Sequence, residues 1–268
     1  MPVERVAATD DPRLADFKNL RDPDLLRSRE LFVAEGRLVV RRVLDDPRFR
    51  VESIVVNEAA HRELAAALEQ TAAPPNVLIV HQRVLSEIVG FNLHRGCVAL
   101  VRRPPGCSVD DVIRSASRVV ALEHVANPDN IGGVFRNAAA LGGEAVVLSR
   151  ECADPLYRKA IRTSMAATLR VPFAVAEDFA SALGRMRAAG FAIAALTLSS
   201  EAESIDAVDR QPLPPRLAIV AGNEGVGLTD AIASTTDYRL RIPISDVVDS
   251  LNVAVAVGIA LYVLRPRS

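Results

Sequence analysis

The sequence predicts an α/β protein built of two successive units, and three observations carry that expectation. Short β-branched apolar runs alternate with segments of helical spacing, half of the 268 residues are hydrophobic, and Arg103-Pro104-Pro105-Gly106 breaks the alternation in two. A chain of this length and apolarity holds enough material for one large core or two ordinary ones.

Residues 1–20 carry charges without an apolar core and contain the breaker Asp10-Asp11-Pro12, so they read as a flexible or loosely docked leader. Residues 21–103 alternate as helix 23–30, strand 31–34, helix 37–44, strand 51–56, helix 58–69, strand 77–80, helix 84–89 and strand 97–101. This pattern describes a small α/β domain. Residues 104–110 read as a linker, and 111–268 as a second α/β domain. In it, strands near Val119 and over 145–148, 171–175, 191–196, 217–221 and 238–242 alternate with helices over 132–142, 155–163, 178–189, 228–233 and 251–264. Strands separated by helices form a mainly parallel sheet, in which ligands bind beyond the carboxyl ends of the strands. The loops after Leu122, Leu196, Ala221 and Ile242 are therefore where a site is expected.

A formal net charge of -1 argues against binding polyanions by overall charge while leaving room for a local basic surface. Lys18 and Lys159 are the only lysines, and arginine suits bidentate phosphate contacts, although codon bias in an alanine-rich chain explains the preference as well. Cys97, Cys107 and Cys152 are far apart, with no CxxC pair and no histidine at ligand spacing, so a reduced cytoplasmic chain without a metal is expected. The longest apolar stretch, 251–264, is too short to span a membrane.

Three segments carry chemistry. Asn127-Pro128-Asp129-Asn130-Ile131-Gly132-Gly133-Val134-Phe135-Arg136-Asn137 follows the strand ending at Leu122; Asn130 reads as a helix N-cap, with Arg136 about one turn into the helix. Gly132 and Gly133 leave room for a ligand or another backbone. Gly222-Asn223-Glu224-Gly225-Val226-Gly227-Leu228 is neither a dinucleotide fingerprint nor a P-loop, but it lets backbone approach a flat ligand and holds one carboxylate, Glu224. Ile242-Pro243-Ile244 through Asp249-Ser250-Leu251-Asn252 leads into the apolar C-terminal helix, where Asp249 and Ser250 are cap candidates. Asn252 heads a helix that is apolar nearly all round, so burial would oblige it to find partners. Arg37 and Arg41 on one helix, Arg95 in the turn His94-Arg95-Gly96, and Arg158 and Arg162 are candidates for phosphate contacts, with a solvated face as the plainer reading.

In this order and on these strand ends, the three segments resemble the three motifs of the SpoU (TrmH-like) ribose methyltransferases of the SPOUT superfamily, over roughly residues 109–264. Ser245-Asp246 departs from the small or glycine pair that many members carry there. Phe32-Val33-Ala34-Glu35-Gly36 resembles the ribosomal-protein-like substrate-binding domain often fused to the family. The resemblance implies transfer of a methyl group from S-adenosylmethionine to a ribose 2′-hydroxyl of RNA, ribosomal RNA being favoured over transfer RNA. It also implies a C-terminal SPOUT domain tied in a deep trefoil knot, which general topology rules would not suggest, and a homodimer formed through that domain. The cofactor contacts it implies are Leu196, Thr197, Gly222, Asn223, Gly227, Ile242, Ile244 and Leu251. The catalytic set is Arg136, Asn130, Glu224, Ser250 and Asn252. A transfer RNA substrate, or a non-catalytic RNA-binding or ribosome-assembly factor of the same fold, are the alternatives.

Overall fold

The computed structural model describes residues 3–18, 20, 22–71, 73–89, 96–208, 214–223 and 227–265. The chain divides into two compact units, Met1–Pro105 with Leu156–Arg158, and Gly106–Pro155 with Lys159–Ser268.

In the first unit the elements are β1 (Val3–Val6), α1 (Asp22–Arg29), β2 (Leu31–Glu35), α2 (Arg37–Asp45), β3 (Arg50–Val56), α3 (Glu58–Gln70), β4 (Asn76–Val80), α4 (Gln82–Val89) and β5 (Cys97–Arg102). The sheet order is β1-β4-β3-β5-β2, with β1, β4 and β3 parallel and the β5 pairings antiparallel. Helices α2 and α3 are amphipathic: Val39, Val40, Val43 and Leu44 of α2 are buried, as are Ala60, Leu64, Ala67 and Leu68 of α3.

The expected leader is part of this fold. β1 pairs in parallel with β4 from Val3↔Val77 to Val6↔Val80. Asp10-Asp11-Pro12 starts structure instead of breaking it: Asp11 accepts the Arg13 N–H (2.9 Å), Pro12 opens a 3-10 turn over Pro12–Phe17, and Leu14 and Phe17 are buried in the core beside Val6, Leu25 and Leu85. A four-residue strand and one turn are too short for periodicity to register, which is why the segment looked dispensable.

The second unit begins inside the expected linker. Ser108 and Asp111 form a capping box, with Ser108 Oγ accepting the Asp111 N–H (3.1 Å) and Asp111 accepting the Ser108 N–H (2.8 Å), and this box starts α5 (Val109–Ser115). The elements that follow are β6 (Arg118–Leu122), α6 (Pro128–Leu141), β7 (Ala145–Ser149), α7 (Arg158–Thr163), β8 (Phe173–Ala176), α8 (Phe179–Ala188), β9 (Ala192–Leu196), β10 (Glu203–Ser204), α9 (Ile205–Val208), β11 (Leu217–Ala221), α10 (Asp230–Ala233), β12 (Tyr238–Arg241) and α11 (Val253–Val263). The strand order is β10-β12-β9-β11-β6-β7-β8, every described pairing parallel. The strand period of two splits the core: Val119, Ala121, Val147, Ala174 and Val220 pack with Val112 of α5 and Phe179, Leu183 and Met186 of α8. On the other side α11 packs on β11 and α6, and Phe135 of α6 meets Phe173 edge to face.

Phe17→Ala is expected to cost about 3–5 kcal/mol, the range for deleting a buried aromatic ring. Urea unfolding monitored on the first unit checks this, and an unchanged midpoint would show that the N-terminal segment is a passenger.

Candidate functional site

The strand order reverses between β6 and β11, which are neighbours with Ala221 opposite Leu122. At such a reversal adjacent loops diverge and leave a crevice beyond the carboxyl ends. A cavity of about 380 Å³ lies to one side of that reversal, lined by the loops after β9, β11 and β12. Leu196 and Thr197 from the first loop, Gly222, Asn223 and Gly227 from the second, and Ile242, Ile244 and Leu251 from the third all line it, as does Ser250. Leu228 and Leu240 complete mostly apolar walls, and Asp230 and Arg239 add two charges that sequence reasoning missed. Asp230 opens α10 and Arg239 lies within β12, positions that carry no local pattern.

Backbone geometry explains the glycine loop. A Cβ on Gly222 would overlap the Gly227 carbonyl, and Gly227 has φ +75°, so glycine is needed at both positions for the loop to fold back on itself. The Gly227 N–H donates to the Asn223 carbonyl (2.8 Å) and closes the turn. Asn223 Nδ2 donates across to the His124 carbonyl (3.2 Å). Glu123, buried at 5% exposure just past β6, accepts the Thr229 N–H (2.9 Å) and the Thr229 hydroxyl (2.7 Å). The loop after β6 does not line the cavity; it holds the loop that does. Behind it, Ser149 Oγ accepts the His124 N–H (3.1 Å), and the Cys152 thiol donates to the Leu122 carbonyl (3.3 Å), with burial pushing that thiol's pKa up.

The opening motif is built differently from the expectation. Asn127, not Asn130, caps α6, accepting the Asp129 N–H (2.9 Å), and Pro128 takes the first helical position. Arg136 is therefore eight residues beyond Pro128, about 12 Å along the axis, and not one turn in. Asn130 is buried in the first turn, where its Oδ1 accepts from Asn252 Nδ2 (2.8 Å). Asn252 is itself the N-cap of α11, its Oδ1 accepting the Ala254 N–H (3.0 Å). Asp249 and Ser250 are not the caps.

Gly132 and Gly133 face neighbouring helices. A Cβ on Gly132 would stand 2.6 Å from the Ala160 carbonyl oxygen of α7, and one on Gly133 would stand 2.7 Å from Ala254 Cβ of α11. Gly258 gives the same clearance to Asn137, whose Nδ2 donates to the Ala254 carbonyl (2.6 Å). The opposite side of the α11 start, at Val253 and Ala256, lines the cavity. One helix thus touches both the cavity and the helix that carries Arg136.

Arg136 is exposed and makes no hydrogen bond or ion pair with any described residue. On its side of α6, Asp129 pairs with Lys159 (2.8 Å) and accepts from the Thr163 hydroxyl (2.8 Å). The Lys159 hydrogen bond, before that from Thr163, holds the Asp129 carboxyl below its usual range, and Arg162 adds to this through space. Arg37 pairs with Glu63, and Arg41 donates to the Glu63 carbonyl (2.8 Å), so both are turned toward α3. Arg158, which clusters with the first unit, lies 3.8 Å from Glu35. Glu224 and Arg95 lie outside the described residues. Among the described residues no group of three His, Cys, Asp or Glu could hold a metal, and no helix is long and apolar enough to cross a membrane.

Comparison with known proteins bears on the whole chain. The sequence model of the SpoU rRNA Methylase family matches residues 117–262. An uncharacterized tRNA/rRNA methyltransferase of Mycobacterium bovis is 41% identical, over 98% of this chain and 91% of its own. The 23S rRNA (guanosine(2553)-2′-O)-methyltransferase RlmP of Bacillus subtilis is 25% identical over 98% of this chain and 100% of its own. The AdoMet-bound rRNA methyltransferase structure from Sinorhizobium meliloti superposes with a TM-score of 0.81 at 26% identity, covering 98% of this chain and 97% of that one.

Gly133→Val forces α6 and α11 apart, and a destabilisation of about 1–3 kcal/mol is expected, the usual cost of overpacking. Thermal unfolding tests it; an unshifted transition would mean that the helix pair yields freely.

Proposed function

Because the chain belongs to the SpoU rRNA methylase family, we propose that it transfers the methyl group of S-adenosylmethionine to a ribose 2′-hydroxyl of RNA, ribosomal RNA in particular. The observation that carries this reading is the helix start at Asn252, which joins the cavity wall on one side to the helix bearing Arg136 on the other. The cavity fits the cofactor: about 380 Å³ lies within the range of small-molecule sites. Leu196, Ile242, Ile244 and Leu251 would hold its adenine, and Thr197 and Asp230 offer polar groups to its ribose and amino-acid portion. When bound, the cofactor supplies an electrophilic methyl group on a sulfonium.

The chain's own work is to place the ribose oxygen in line with that methyl group and to ease loss of the hydroxyl proton. Guanidinium groups keep their proton at neutral pH, so the role proposed for Arg136 is electrostatic: it orients the adjacent phosphate and stabilises the developing alkoxide. Ser250, which lines the cavity, positions the substrate ribose. Asn130 and Asn252, being bonded to each other, position the two helix heads.

Full-length similarity to a 23S rRNA methyltransferase supports ribosomal RNA, and the first unit serves as the ribosomal-protein-like RNA-binding domain, with Arg37, Arg41, Arg95 and Arg158 as candidates for phosphate contacts and Arg162 of the second unit as a further one. The 41% identical relative, described as acting on tRNA or rRNA, keeps transfer RNA as the second reading. The same reading gives the second unit a deep trefoil knot, with α11 returning after β12 to pack on β11 and α6, and a cytoplasmic location. It also gives a homodimer. Val255 and Tyr262, seven residues apart on α11, and Val247 and Val248 before it are exposed apolar side chains that a second copy would cover.

Incubation with labelled S-adenosylmethionine and separated ribosomal and transfer RNA pools, followed by 2′-O-methyl mapping, tests the assignment; label in neither pool would overturn it. Arg136→Ala is expected to lower methyl transfer about 10²-fold or more with nearly unchanged cofactor affinity. Single-turnover assays beside calorimetric titration separate these two effects.

A further inference from the structure

Glu123 lies outside the cavity, yet it carries a contact on which the cavity wall depends. It is buried just past the end of β6, and its backbone N–H donates to the Ala221 carbonyl (3.0 Å), adding a rung to the β6–β11 pairing. Both carboxylate oxygens go to a single residue: Oε2 accepts the Thr229 N–H and Oε1 the Thr229 hydroxyl. Thr229 caps α10 without a side-chain cap bond, so its hydroxyl is committed to Glu123. The residues on either side of it, Leu228 and Asp230, line the cavity. At the other end of the same loop, Asn223 is tied to the His124 carbonyl, the residue next to Glu123. Two consecutive residues on the β6 exit therefore anchor both ends of the glycine loop.

We propose that Glu123 is a positioning residue for the cofactor: by holding Thr229 it sets the Leu228–Asp230 wall, and it does so without touching the ligand. A buried carboxylate that accepts both a backbone N–H and a hydroxyl of one residue leaves that residue little freedom, because release would strand the buried Glu123 carboxylate without its donors. The proposal rests on the S-adenosylmethionine reading of the cavity.

The chemistry of the pair dictates the test. Thr229→Val keeps the N–H bond and removes the hydroxyl, whereas Glu123→Ala removes both acceptors. Glu123→Gln keeps the arrangement: its carbonyl oxygen accepts the Thr229 N–H, and its amide donates to the threonine hydroxyl, which can accept as well as donate. Cofactor Kd by calorimetry and single-turnover methyl transfer at saturating cofactor are measured for the full-length chain and the three variants. We expect Glu123→Ala to raise Kd by roughly tenfold or more and Thr229→Val by a smaller factor, with rates at saturation close to wild type. Glu123→Gln should restore the wild-type Kd. Unchanged Kd in both Glu123→Ala and Thr229→Val, or a Gln variant as weak as the Ala variant, overturns the proposal. So does a fall in the saturated rate without a change in Kd. Failure of the wild-type protein to bind S-adenosylmethionine overturns the functional reading itself, which the variant series does not.

Discussion

The near-contact of α6 and α11 is the constraint on which the arrangement of the site depends. Helices with ordinary side chains at the crossing stand 8–10 Å apart; here Gly133 faces Ala254 and Gly258 faces Asn137, and an added Cβ at either place would press on the other helix. That proximity allows two amides to bridge the helices, Asn137 to the Ala254 carbonyl and Asn252 to Asn130. Polar groups placed in such a crossing are stabilising only when satisfied, and each of these has its partner. Since α11 also walls the cavity, the helix spacing fixes how far Arg136 stands from whatever the cavity holds.

A second constraint works at the strand reversal. The exit of β6 is spent on support: Glu123 holds Thr229, the His124 carbonyl holds Asn223, and Ser149 and Cys152 brace the turn from behind. His124 takes a positive φ of 56°, unusual for a residue with a side chain, and the bonds on both sides of it hold it there. The loop after β6 supports, and the loop after the neighbouring strand β11 lines the cavity.

Partner accounting separates the arginines better than their number does. Arg118 donates to the Leu264 carbonyl (2.9 Å), and Arg216 donates to the Ala189 (2.7 Å) and Ala116 (3.0 Å) carbonyls while stacking on Phe191. Those guanidiniums are committed to the fold. Arg37 and Arg41 are partly committed to Glu63. Arg136 is exposed and without a partner among the described residues, as are Arg162 and Arg170.

The sequence by itself determined the alternation of strands and helices, because periods of 2 and 3.6 are written in which residues must be buried. It determined the strand exits, and the loops after Leu196, Ala221 and Ile242 that it singled out line the cavity. It did not show β1 or the turn that buries Leu14 and Phe17, since so short a segment has no period and is recruited only by a sheet edge formed elsewhere. Nor did it show which asparagine begins α6. Asn127 and Asn130 are equally able to cap a helix, and the choice falls on Asn127 because Asn130 is needed inside, against Asn252, which is 122 residues away in sequence. Glu123 was silent for the same reason: an acid at the end of an apolar run acquires its meaning only from Thr229, 106 residues on. Local pattern records burial, but a buried polar group is defined by its partner, and only the tertiary structure supplies partners.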